Sequence, residues 1–223
     1  MKDDGIEYFH AHQFAHSIKQ FEGWRDDEGR RRAFYGDLMD IILSHAHRKF
    51  GSIIVNATHD AELSQENREM FHLEAYALAG RTVAADVARY AASFSAKNFP
   101  EIVFEDGDLD KGMLMKRLKK DGYPAPIFKP KKDTVGRKDG LLRPAYTPLQ
   151  AADLWAYELY LADQKVQAEG RQEHFRWGFE QLHKMPGEAG FYSRSDARRT
   201  NAMLTERRIK GKTVGPIIGV HIL

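Results

Sequence analysis

An apolar run that stops abruptly in acid, Ile102-Val103-Phe104-Glu105-Asp106-Gly107-Asp108, constrains this chain more than any other stretch. Apolar residues ending in a charged glycine turn describe a buried strand whose end meets solvent. Further on, Pro148-Leu149-Gln150-Ala151-Ala152-Asp153-Leu154-Trp155-Ala156-Tyr157 reads as a helix start with one acid among apolar residues. Asp153 follows Leu149 by four and precedes Tyr157 by four, so it projects within or beside the stripe Leu149, Ala152, Ala156, Leu159 and Tyr160. An acid on a buried face is costly unless it is paired, hydrogen-bonded or bound to metal. A strand-end acid facing a helix acid is one way to hold a hard cation such as Mg²⁺ or Mn²⁺. The plainer alternative is an acidic turn before a helix, and an Asp153 that bonds a nearby backbone donor.

Periodicity extends that pair into an alternation of helices and strands. Helices are predicted over Gly29–Phe50, Asn67–Ser95, Asp110–Lys120, Pro148–Glu169, Gln172–Lys184 and Arg194–Arg208, with a helical turn at His12–Ser17. Strands are predicted over Ser52–Thr58, Pro100–Glu105 and Pro126–Lys132, with an apolar strand-like tail at Thr213–Leu223 and a polar turn at Val135–Leu141. The first long helix should bury Phe34, Leu38, Ile41, Ile42 and His45. The second has a small-residue face of Ala77, Gly80, Ala84, Val87, Ala88 and Ala91, which suits close packing on a sheet. The class is α/β, with α+β as the variant, around one mixed sheet.

Composition narrows the chemistry. The 223 residues suit one domain with a small appendage. With no cysteine, neither disulfides nor thiolate catalysis is available, which fits a cytoplasmic protein. No apolar run approaches the ~20 residues of a membrane span. Net charge is only +2, but Lys111–Arg143 holds 11 Lys and Arg against 3 Asp, and Ser193–Lys212 holds 7 against 2 acids. Two basic segments on a near-neutral chain are a possible polyanion footprint; the bland reading is solvated helix faces. His12 and His16 have zinc-compatible spacing but lack further ligands. Gly187–Gly190 is too short for a phosphate loop, and there is no nucleophile-elbow serine.

Several motifs occur in a fixed order: Tyr8-Phe9-His10-Ala11, Phe21-x-Gly23-Trp24, Phe104-Glu105-Asp106-Gly107-Asp108, Phe128-x-Pro130-Lys131-Lys132-Asp133 and Pro148-Leu149-Gln150-Ala151-Ala152-Asp153. Together, from about Gly5 to about Ala162, they resemble a prokaryotic and phage family known as domain of unknown function 3800, which looks like a divergent ribonuclease H-like fold. The resemblance implies a mixed sheet flanked by helices and a carboxylate-lined metal site. In such a site Glu105 and Asp153 would be catalytic metal ligands and Asp108 an auxiliary one. Lys129, Lys131 and Lys132 would contact phosphate, with His10 and Gln150 in support. The family's first-strand Asp-Glu-Ser-Gly-like stretch is not found ahead of Tyr8, so the expected core lacks its first strands.

The expected organisation is therefore a ribonuclease H-like core over residues 1–170 and a C-terminal helical extension with an apolar tail over 171–223. The expected function is a divalent-metal-dependent nuclease, with Glu105 and Asp153 carboxylates within roughly 4–8 Å of each other. The alternative is a non-catalytic nucleic-acid-binding or assembly module. Expected partners are nucleic acid, no membrane, and a second copy of the chain through the exposed sheet edge or the tail.

Overall fold

The computed structural model describes residues 5–94, 99–107, 110–135, 141–169, 175–211 and 221–222. In chain order its elements are α1 (Ala11–Ala15), α2 (Glu28–His45), β1 (Lys49–Ile54), α3 (Asn56–Glu62), α4 (Gln65–Phe71), α5 (Ala75–Ser93), β2 (Val103–Glu105), α6 (Lys111–Lys120) and β3 (Ile127–Lys129). These are followed by β4 (Thr134–Val135), β5 (Leu142–Arg143), α7 (Pro148–Glu169), α8 (Trp177–Lys184), β6 (Gly187–Tyr192), α9 (Arg194–Ile209) and β7 (His221–Ile222). The fold is mixed α/β with helix dominant. Among the described residues the strands form three small sheets, β1-β6-β7, β2-β3 and β4-β5, rather than the single expected sheet.

The chain divides into two interleaved compact units, one of Met1–Lys49 with Lys129–Gly187 and one of Phe50–Phe128 with Glu188–Leu223. In the first unit the N-terminal region folds onto an aromatic core. Phe9, Phe14, Phe21 and Phe34 meet with ring centroids 5.3–6.3 Å apart, and Trp24 stands edge-on to Phe34 at 5.3 Å. Tilted and edge-to-face rings of this kind are the favoured aromatic geometry. Asp27 caps α2 by accepting the Arg30 N–H at 3.0 Å. That helix buries Phe34 and Met39, whereas Ile41, expected inside, is exposed. Proline, whose missing N–H is harmless at a first helical position, opens α7 at Pro148. Leu149, Leu154, Trp155, Leu159 and Ala162 form the buried stripe of α7, and Trp155 stacks on Phe179 of α8.

In the second unit α5 lies against α6 with almost no space between them. A Cβ on Gly80 would meet Leu114 Cδ1 at 2.7 Å and Phe104 at 3.2 Å. The small-residue face therefore packs on a helix and one strand residue, with Ala77, Ala84, Leu114 and Leu118 fully buried between them. The helix predicted over Asn67–Ser95 is two helices. His72 adopts a left-handed φ of 54° and ends α4 before α5 begins. The strand predicted over Ser52–Thr58 is shifted. Pairing starts at Lys49, and Asn56–Glu62 is helical, with His59 turned inward to the Leu73 carbonyl at 2.8 Å.

Strand β6 escaped the sequence reading. Its Gly187 sits where a Cβ would collide with the Lys49 carbonyl oxygen at 1.9 Å, so this glycine serves close strand approach. Of the predicted tail strand, His221–Ile222 pair antiparallel with β6, Gly190 opposite Ile222 and Phe191 opposite His221; residues 212–220 and Leu223 lie outside the described residues. The predicted Val135–Leu141 turn is bracketed by the antiparallel pair β4–β5, with residues 136–140 outside the described ones. Among the described residues, no helix is long and apolar enough to cross a membrane.

Candidate functional site

Three of the sequence motifs converge in the first unit, at the first turns of α7. Gln150 is buried and joins two of them, accepting the Phe9 N–H at 2.8 Å and donating to the Lys131 carbonyl at 3.2 Å. One turn later, Asp153 Oδ2 accepts the Ala11 N–H at 2.7 Å, and Oδ1 accepts from the Lys131 ammonium at 3.1 Å. The His10 Nδ1 lies 3.2 Å from Asp153 Oδ2. The side chain of Asp153 remains 21% exposed and that of Lys131 only 7%. The carboxylate faces the exposed amides at the start of α1, where negative charge is favourable. Asp153 thus bonds a backbone donor, the alternative weighed for it from position, and also an internal ammonium that the sequence did not indicate.

That donor set bears directly on metal binding. One oxygen of Asp153 receives an ammonium and the other an amide, so Mg²⁺ or Mn²⁺ would meet positive donors where it needs further oxygens. Among the described residues, no three His, Asp or Glu side chains are grouped as a metal set. In this arrangement Asp153 does not fit a divalent cation. Glu105 is exposed at the end of β2, in the second unit, while Asp153 belongs to the first. Asp106 pairs with Lys111 at 2.6 Å. Asp110 precedes α6 but makes no side-chain cap. Asp108 lies outside the described residues.

The lysines expected at phosphate divide. Lys131 is buried on Asp153, so it is an internal partner and not a surface cation. Lys129 is exposed at the end of β3. Lys132 is exposed, with its ammonium 5.3 Å over the Tyr8 ring.

The two basic helices of the second unit differ in the same way. On α6, Arg117 is fully buried; it pairs with Asp121, which also takes Arg81 at 3.0 Å, and it donates to the Phe71 carbonyl at 3.1 Å. Burial lowers the Arg117 pKa below its usual value and Asp121 offsets that effect. Lys116, Lys119 and Lys120 are exposed, with the Lys120 ammonium 5.2 Å over the Phe71 ring, and among the described residues no carboxylate pairs with them. His72 beside them is held below the usual histidine value, first by burial and then by Lys120, Lys116 and Arg117. On α9 the cations are matched. Arg194 lies 3.3 Å and Arg198 2.8 Å from Glu62, Arg199 lies 2.9 Å from Asp196, and Arg208 pairs with Glu66. The Glu62 carboxyl is correspondingly held below its usual range, chiefly by the Arg198 hydrogen bond.

Sequence reading missed one buried pair in the first unit. The Tyr35 hydroxyl donates to Glu158 Oε1 at 2.8 Å, and Glu158 is 1% exposed. Burial, then Glu158, push the Tyr35 pKa up. The available signal was spacing, since Glu158 shares the buried stripe of Leu154 and Ala162 at four-residue intervals. Comparison with protein-family models, curated proteins and solved structures found no match to this chain.

Proposed function

We propose that this chain is a nucleic-acid-binding protein that meets phosphates with the outer face of α6. The observation that carries the reading is the exposed set Lys116, Lys119 and Lys120, unmatched by carboxylates among the described residues. Its field already contributes to the lowered pKa of His72. Lysines so presented displace condensed counterions from a phosphate chain, which makes binding strongly salt-dependent. The test is fluorescence anisotropy with labelled single-stranded and duplex DNA and RNA over a salt series. The Lys116→Glu, Lys119→Glu, Lys120→Glu variant is expected to lose most affinity and flatten the salt slope. Unchanged binding in that variant refutes the reading.

A second reading is Mg²⁺- or Mn²⁺-dependent phosphodiester cleavage on a ribonuclease H-like fold, as the sequence resemblance implies. The exposed strand-end position of Glu105 and the solvent access of Asp153 favour it. It requires Lys131 to release Asp153. Metal-dependent degradation of oligonucleotides that disappears in both Asp153→Asn and Glu105→Gln would support it, and intact substrate under the same conditions would refute it.

A further inference from the structure

The stripe expected to be buried on α2 is only partly covered. Phe34 is 6% exposed, whereas Ile41, two turns further on, is 56% exposed. Between them a shallow groove runs along the outer face of the helix, bordered by Ala33, Asp37, Leu38 and Asp40, with Arg30 towards its start. A lone exposed isoleucine is ordinary on a protein surface. The order of charge beside this one is less ordinary. Arg30, Arg31 and Arg32 stand in the opening turns of α2, and Asp37 and Asp40 in its second half. A helix dipole favours acids at the start and cations at the end, so for these five residues the order is the reverse of what α2 alone prefers. Arg31 and Arg32 are answered within the chain, by the Ala15 carbonyl at 3.3 Å and by Glu28 at 2.8 Å. The Arg30 guanidinium lies 4.0 Å over the Trp24 ring, which fixes its plane and leaves the edge of the fork directed along the surface. Asp37 and Asp40 are exposed, and among the described residues no cation pairs with them.

We propose that this face of α2 is the contact between two copies of the chain, their α2 helices crossing antiparallel about a two-fold axis between Ala33 and Asp37. One chain carries both halves of the match, a cation near one end of the groove and two acids near the other, so a second copy is the partner whose charges fit. Under two-fold symmetry every contact occurs twice. Arg30 meets Asp40 of the partner subunit, and Asp40 meets Arg30 of the partner subunit, with Asp37 beside each pair. Ile41 falls opposite Gly29 of the partner subunit, an exposed position with no side chain to obstruct it. The apolar residues supply the burial and the charges fix the direction. A parallel copy would set arginine against arginine and aspartate against aspartate, which like-charge repulsion opposes. The contact lies on another helix from the α6 lysines and does not depend on their function.

The test is sedimentation equilibrium of the whole chain over a wide concentration range, without nucleic acid. The native chain is expected as a dimer that dissociates on dilution. Ile41→Glu, an exposed change, should weaken association about tenfold or more. The Asp37→Arg, Asp40→Arg variant should weaken it further, about 100-fold, because Arg30 of each copy then meets arginine. Arg30→Glu should act likewise by setting acid against acid. An equimolar mixture of those two charge-reversed chains should recover the dimer, since every facing pair is again opposite in charge. That recovery also separates a lost contact from a lost fold. The proposal is overturned if the native chain is monomeric at every concentration, if the Ile41→Glu and charge-reversed chains associate as the native chain does, or if the mixture of the two reversed chains stays monomeric.

Discussion

Helices α6 and α9 carry much the same positive charge on paper and hold it in opposite ways. On α9 the counter-charges arrive from distant sequence, Glu62 at the end of α3 and Glu66 in α4, and the arginines close on them. Asn67 fastens the same junction, donating to Asn201 at 2.7 Å and to Thr205 at 2.9 Å. On α6 the answering acids are near in sequence: Asp106 pairs with Lys111, and the inward-pointing Arg117 is buried with Asp121, four residues on, which also takes Arg81. The three lysines beside Arg117 are exposed. The difference teaches that a count of charges along a helix is not yet an electric field. What decides is whether the tertiary fold delivers a carboxylate to each cation.

The largest effect should come from breaking the inward side of α6. Asp121→Ala leaves Arg117 and Arg81 buried without their carboxylate, and removing one partner of a buried pair costs about 3–5 kcal/mol. Urea unfolding should show that loss as a lower midpoint with an unchanged slope. Arg198→Ala on the solvent-facing α9 pairing should shift the midpoint only slightly. If the two variants lose equal stability, the division into buried and surface cations does not hold.

Next in size is the nucleic-acid test itself, extended to both helices. Reversing Lys116, Lys119 and Lys120 removes about three phosphate contacts, which should lower affinity about 100-fold or more at low salt and reduce the salt slope by about 2–3. The Arg194→Glu, Arg198→Glu variant of α9 should change affinity far less. Equal losses from both helices would mean that paired arginines exchange their carboxylates for phosphates readily.

Much of this arrangement was legible in the sequence, and the illegible part has a physical cause. Both basic helices, the strand ending at Glu105 and the helix from Pro148 to Glu169 follow from local periodicity and stop signals. The stripe expected on α7 was misplaced: Ala152, Ala156 and Tyr160 are exposed, the buried face runs through Leu154, Trp155 and Glu158, and Asp153 lies half-buried beside it. The partners of Asp153 were not readable, because the Ala11 amide and Lys131 come from segments 142 and 22 residues away. The same holds for Lys131 among three similar lysines, since only tertiary contact separates it from Lys129 and Lys132. The break at His72 was hidden because a histidine carries no glycine-like signature for a left-handed turn. Strand β6 was hidden because its glycines read as a loop, whereas Gly187 marks the approach of β1.

A smaller effect links α6 to pH. The His72 pKa is lowered in the folded chain by burial and by Lys120, Lys116 and Arg117. A depressed histidine contributes stability that is fully present above its unfolded pKa, about 6.5, and is lost as pH falls through the lower folded value. A phosphate chain on the lysines cancels part of the field that depresses it. Binding should then raise the His72 pKa and take up a fraction of a proton, and affinity should rise by at most about tenfold per unit fall in pH. Imidazole shifts followed by NMR with and without oligonucleotide measure this directly. The His72→Asn variant, which tolerates the left-handed conformation, should bind with less pH dependence. A His72 pKa unmoved by bound oligonucleotide would mean that phosphate does not approach these lysines.

The smallest expected effect is the most specific to the comparison. If α9 contributes little because Glu62 and Glu66 neutralise it, then Glu62→Gln with Glu66→Gln should release Arg194, Arg198 and Arg208 without adding any cation. The helix itself should persist. Its N-terminus is held by a capping box in which Ser193 accepts the Asp196 N–H and Asp196 accepts the Ser193 N–H at 3.0 Å. The melting temperature should fall only slightly, and less in high salt, because these pairings face solvent. Oligonucleotide affinity should rise a few-fold at low salt, with a slightly steeper salt slope, as newly available guanidinium groups displace counterions. The gain should survive in the background of the Lys116→Glu, Lys119→Glu, Lys120→Glu variant, since the two helices then act as separate surfaces. An affinity that stays flat when the glutamates are neutralised would show that carboxylate pairing is not what silences α9, and the contrast with α6 would need another cause.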